Sequence, residues 1–230
     1  MLTFFGRGSA FADAHNCAYF IRGKELVLLD CPATAFLKLK HASFLPEIDV
    51  IRILVTHMHC DHVGGIPLLI HYAKYVLKKP VKIMAPSAGV AESLEYLIDK
   101  IEHCDNSGYS IQTPQDYDAD FLAEPIYTEH VDALGESYGY HLTVDRKDII
   151  YTGDTRSLDD FLPYLQAPAT LYSEIATFDS GVHLYYEKAL PQLCALQKSG
   201  VQVYLMHLDN EEKIRQMIIG TGILLAPLAE

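Results

Sequence analysis

Apolar residues run along this chain in two alternating rhythms. Short runs rich in Val, Ile, Leu, Tyr and Phe stand at 2–5, 16–21, 25–30, 50–55, 81–85, 125–130, 138–144, 148–152, 170–173, 202–205 and 222–225. Such runs read as strands. Between them, apolar positions recur every three or four residues at 35–40, 66–77, 88–103, 158–165, 185–197 and 210–217. Leu94, Leu97, Ile98 and Ile101 form one such stripe, and Ser87 stands where an N-cap belongs. The order starts as a meander, mixes strands with helices, then returns to hairpins and further strand–helix units. Apolar strands of this kind need cover on both faces, which predicts an α/β fold of two facing mixed sheets with helices outside. No Ser/Gly-rich or Pro-rich linker divides the chain, so a single domain over 1–230 is expected. The polar, turn-rich stretch 105–120 reads as a loop or lid.

Composition narrows the function. The 230 residues are half hydrophobic and about a fifth charged, with a formal net charge of -12. That charge repels a phosphate backbone at long range, so a long structured nucleic acid is not an expected partner. The nearest basic patch, Lys74, Lys78, Lys79 and Lys82, reads as a solvated helix end. The N-terminus lacks the apolar core of a secretory signal, and no stretch is long and apolar enough to span a bilayer. A cytoplasmic protein with no membrane contact is the expectation. Five scattered cysteines without a C-x-x-C pair agree with a reducing compartment.

The chemistry concentrates in Thr56-His57-Met58-His59-Cys60-Asp61-His62-Val63-Gly64-Gly65. Three imidazoles and a carboxylate lie within six positions, between an apolar strand and a helix-like stretch. Imidazole suits Zn, Fe, Cu or Ni, and the carboxylate extends the range to harder ions such as Mn. Cys60 reads as a spacer between ligands. Asp30 and Thr56 are candidate supports for metal-bound rings. Further donors stand where strands are expected to stop: His130 after 125–129, Asp154 after 149–153, where Gly153 permits a sharp turn, and His207 after 203–206.

His57-Met58-His59-Cys60-Asp61-His62 resembles the H-x-H-x-D-H hallmark of the metallo-β-lactamase fold superfamily, and His130, Asp154 and His207 match its later ligands. The resemblance implies a four-layer αββα sandwich with a dinuclear site. Gly6-Arg7-Gly8-Ser9-Ala10, Leu28-Leu29-Asp30-Cys31, Tyr138-Gly139-Tyr140-His141-Leu142 and Ser173-Glu174-Ile175-Ala176-Thr177-Phe178 with His183 resemble the RNase Z and small-phosphodiesterase branch. The spacing from His62 to His130 leaves little room for a long tRNA-gripping arm, so tRNA processing is not expected.

By resemblance, His57, His59 and His130 hold one metal, Asp61, His62 and His207 the other, and Asp154 bridges them. The metals are expected to be two divalent ions, Zn first, with Mn or Fe as alternatives. Such pairs sit about 3.5–4 Å apart and generate a metal-bound hydroxide as nucleophile. Asp61 would aim it. His183 would contact a phosphate oxygen or protonate the leaving alkoxide, with Glu174 orienting its ring. The expected function is a metal-dependent phosphodiesterase for a small anionic substrate, cyclic or nucleotide-derived; a homodimer is common in the branch it resembles, and no stretch of this chain dictates one. The alternative keeps the metals and changes the bond to a lactone, thioester or β-lactam. A third reading, a scaffold that has lost catalysis, should have lost ligands, and none is missing.

Overall fold

The computed structural model describes residues 1–131 and 135–229. The chain divides into two compact units that interleave in sequence. The first comprises Met1–Arg7, Asp13–Asp118 and Leu228–Glu230, and the second comprises Gly8–Ala12 and Ala119–Pro227.

The first unit is built on β1 (Thr3–Gly6), β2 (Cys17–Arg22), β3 (Glu25–Leu29) and α1 (Ala33–Leu39). These are followed by β4 (Val50–Leu54), α2 (Cys60–Val63), α3 (Ile66–Tyr72), β5 (Val81–Met84), α4 (Ala88–Glu95) and β6 (Tyr109–Gln112). The six strands form one sheet in chain order. The first two pairings are antiparallel and the next three parallel. Leu26, Val27, Leu28, Ile51 and Ile53 are buried, as unbroken apolar runs in parallel strands should be. Ser87 does cap α4, its hydroxyl accepting the Val90 N–H at 3.1 Å.

The stretch 105–120 is not the open loop its polarity predicts. It contains β6, which pairs in parallel with β5 from Val81↔Tyr109 to Met84↔Gln112. Tyr109 and Ile111 are half-buried, so the strand lies at the sheet edge with too little apolar content to announce itself. The lysines at 74, 79 and 82 are each engaged. Lys74 pairs with Asp105 and Ser107, Lys79 donates to the Leu45 and Pro46 carbonyls, and Lys82 pairs with Asp118.

The second unit repeats the plan. It comprises β7 (Leu122–Thr128), β8 (Ser137–Val144), β9 (Lys147–Tyr151), β10 (Thr170–Ile175), α5 (Tyr186–Lys198), β11 (Gln202–Leu208), α6 (Glu211–Met217) and β12 (Leu224–Leu225). Its sheet also runs in chain order, two antiparallel pairings followed by three parallel ones. The expected helix at 158–165 is a 3-10 segment, Asp159–Tyr164, with Pro163 inside it. Its core gathers Phe161, Leu171, Leu193, Val203 and Leu205.

Candidate metal centre

In the first unit, β4 delivers a buried Thr56, after which the chain turns through His57 and His59 into the short helix α2. His57, Asp61 and His62 are buried and His59 is half-buried. Asp30, directly after β3, organises this loop. Its Oδ1 accepts the Thr56 N–H at 2.8 Å, and its Oδ2 accepts the Thr56 hydroxyl and His62 Nδ1, both at 2.8 Å. The Thr56 hydroxyl also lies 3.0 Å from His57 Nδ1. Asp30 reaches this position with φ at 62°, a left-handed conformation that costs Asp less than most residues.

Gly65 makes the arrangement possible. A Cβ there would stand 2.5 Å from the Pro32 carbonyl oxygen, so only Gly lets the loop close on the segment after β3. Two backbone bonds seal that approach: Cys31 N–H to His62 O and Gly65 N–H to Cys31 O, each 2.8 Å. Cys60 is exposed, in keeping with a spacer.

In the second unit, His130 lies two residues beyond β7, and Asp154 follows the turn at Gly153 (φ 59°) after β9. His207 departs from expectation: it lies inside β11, not beyond its end. Register against β10 slips there, from Glu174↔Met206 to Ile175↔Leu208, and His207 has φ at 51°. It occupies a bulge, a device that re-aims one side chain while the strand continues. The apolar pattern gives no sign of such a slip.

These groups converge. His207 Nε2 and His130 Nε2 lie 3.4 and 3.8 Å from Asp154 Oδ2, and His183 Nδ1 is 4.0 Å from the same oxygen. Glu174, fully buried on β10, holds His183 Nδ1 at 2.9 Å and also accepts the Thr155 N–H. His130 Nδ1 donates to the Val182 carbonyl at 2.7 Å, a partner that no side-chain reading could anticipate. His130, Asp154 and His183 offer ligand atoms that all lie within 4.8 Å of one another, as do Glu174, His183 and His207.

The donors in both units suit a divalent cation. Three rings have Nδ1 committed to an oxygen, His57 to Thr56, His62 to Asp30 and His130 to Val182, which leaves Nε2 as the second donor of each ring. His57 Nε2 and His59 Nδ1 stand 3.0 Å apart, a separation that calls for a proton or a cation between them. Nitrogen donors with carboxylates fit Zn, Mn or Fe.

Comparison with known proteins agrees with this chemistry. The chain is 28% identical over 239 residues to the Anti-Pycsar protein Apyc1 of Bacillus phage 010DV004, covering 92% of this chain and 90% of that one. Among solved structures, the metallo-β-lactamase fold protein YhfI from Bacillus subtilis superposes with a TM-score of 0.75, at 18% identity over 100% of this chain and 95% of that one. Human tRNase Z, short form, gives a TM-score of 0.67 at 18% identity, over 98% and 96% of the two chains. The fold is thus the metallo-β-lactamase α/β fold. The family described as Anti-Pycsar protein Apyc1 matches residues 1–222, and the chain belongs to that family.

Proposed function

We propose that this chain is a metal-dependent phosphodiesterase whose substrate is a small cyclic nucleotide. The reading rests on family membership together with one pair of side chains, His183 and Glu174, 2.9 Å apart beside Asp154. It takes the seven residues His57, His59, Asp61, His62, His130, Asp154 and His207 as ligands of one dinuclear centre, with Asp154 shared. Bound divalent ions would lower the pKa of water towards neutrality and offset the charge that builds on the attacked phosphoryl group.

The remaining work falls to the protein. Asp61 accepts a hydrogen bond from the attacking water and orients its lone pair. The water gives up one proton to solvent, its oxygen bonds to phosphorus as the ester P–O bond breaks, and the leaving alkoxide needs a proton. His183, anchored through Nδ1 to Glu174, presents Nε2 to donate it. Glu174 keeps the ring in that tautomer and stabilises its charged form. A single small ester needs no extended basic surface, which agrees with a net charge of -12. A cytoplasmic location completes the proposal, in keeping with the free cysteines Cys17, Cys31, Cys60, Cys104 and Cys194.

The test is a side-by-side assay of a 3′,5′-cyclic nucleoside monophosphate (whose leaving group is an alkoxide), an acyl lactone and nitrocefin, with the wild type and His183→Ala. The expected result is phosphodiester turnover that falls about 100-fold or more in the variant. Lactone turnover that survives the substitution, with no phosphodiester turnover, rejects the proposal.

A further inference from the structure

Two loops of the second unit, each carrying an exposed phenylalanine, hydrogen-bond to the residues that follow His207. Gly8 pairs in parallel with Leu208, and the Ser9 N–H donates to the Leu208 carbonyl at 3.0 Å. The Ala12 N–H donates back to the Ser9 carbonyl at 3.0 Å, closing a turn that carries Phe11 near its tip. Phe11 is 102% exposed. A second anchored loop approaches the next residue. Thr177 donates its N–H and hydroxyl to the Asp209 carboxylate at 2.9 and 2.6 Å, and Lys213 Nζ donates to the Thr177 carbonyl at 3.3 Å. Phe178 follows, 56% exposed, and the same loop runs on to His183.

A single exposed ring calls for no account, because much of any protein surface is apolar. Two rings on loops pinned to Leu208 and Asp209, the two residues after His207, are a different case. Leaving a Phe in water forgoes about 1.5–3 kcal/mol of burial. Here specific hydrogen bonds hold both loops with their rings outward.

We propose that Phe11 and Phe178 are specificity-determining residues that stack on the base of a nucleotide substrate while its phosphodiester lies at His183 and His207. The proposal rests on the phosphodiesterase reading above. Stacking uses the π face that every base has, so it selects for a base without selecting which one. It also supplies affinity of a kind that an acidic protein cannot obtain by attracting the anion.

The test compares the wild type with Phe11→Ala, Phe178→Ala and the corresponding Trp variants on two substrates. One is a 3′,5′-cyclic nucleoside monophosphate; the other is a methyl riboside 3′,5′-cyclic phosphate, which has no base. The expected result is a fall in kcat/KM for the nucleotide of about 5- to 100-fold for each Ala variant, carried mainly by KM and restored by Trp. Turnover of the base-free compound should not change. Equal losses on both substrates, or a loss on neither, overturns the proposal. A wild type that hydrolyses both compounds equally well overturns stacking and leaves the phosphodiesterase intact, whereas one that hydrolyses neither overturns both.

Discussion

In the first unit the expected ligands come from six consecutive residues, 57–62, whereas in the second they come from beyond β7, beyond β9 and a bulge in β11, spread from His130 to His207. Both units use the same strand plan, two antiparallel pairings and then three parallel ones. The supports differ with the layout. One carboxylate, Asp30, frames the whole first-unit loop through Thr56 and His62. In the second unit the supports are divided: the Val182 carbonyl holds His130, the β11 bulge aims His207, and Glu174 holds His183 at 2.9 Å while standing 3.9 Å from His207 Nδ1. A contiguous loop can be held by one residue and lost with it. A dispersed set can lose its members separately.

That contrast is tested most severely at Asp154. Replacing it by Ala should depress metal content and turnover together, each by more than the roughly 10- to 100-fold typical of a partner that only orients a ligand. Metal analysis after supplementation, paired with the phosphodiester assay, measures both. Normal metal content in Asp154→Ala would remove it from the proposed centre.

The next two variants separate the units. Asp30→Asn should weaken metal affinity by roughly 10- to 100-fold, because Thr56 and both rings it steadies lose their frame at once. Glu174→Gln should retain metal yet lower kcat by a similar factor, and shift the alkaline limb of the pH–rate profile to lower pH as the charged form of His183 loses its stabilisation. Equal metal loss in both variants would show that the second unit's supports are not separable.

The same contrast explains what could be read from the chain. The 57–62 loop was legible because its donors are contiguous, and its support from Asp30 followed from a strand end directly before it. Asp154 was legible through Gly153, whose left-handed turn leaves a sequence mark. The His183–Glu174 pair came from a short motif, and the structure places the two side chains in contact. The position of His207 within β11 was not legible, because a bulge is a register event between two strands and neither strand carries it alone. The Val182 carbonyl has no residue-type signature at all. β6 leaves little mark in the sequence because its alternation is weak and its turns, at Asp105–Ser107 and Thr113–Asp116, dominate the composition around it.

The smallest expected effect lies away from the ligands, at the β6 end of the first unit. Arg52 is buried on β4, and its guanidinium donates to Glu25 at 3.0 Å and to Asp118 at 2.5 Å. Asp118 also pairs with Lys82, and these two cations hold its carboxyl well below the usual carboxylate range. A depressed value means that the pairing adds stability above the unfolded value of about 4, and loses it as pH falls towards the folded value. Asp118 is 44% exposed, so solvent screening limits the gain to about 1 kcal/mol or less. Asp118→Asn should therefore lower the urea midpoint slightly at pH 7, and the gap from wild type should narrow as the pH drops below about 4. Metal content and turnover should stay at wild-type values. A constant gap at all pH values would mean that packing of the 113–118 segment, and not its charge, secures the edge of the first sheet.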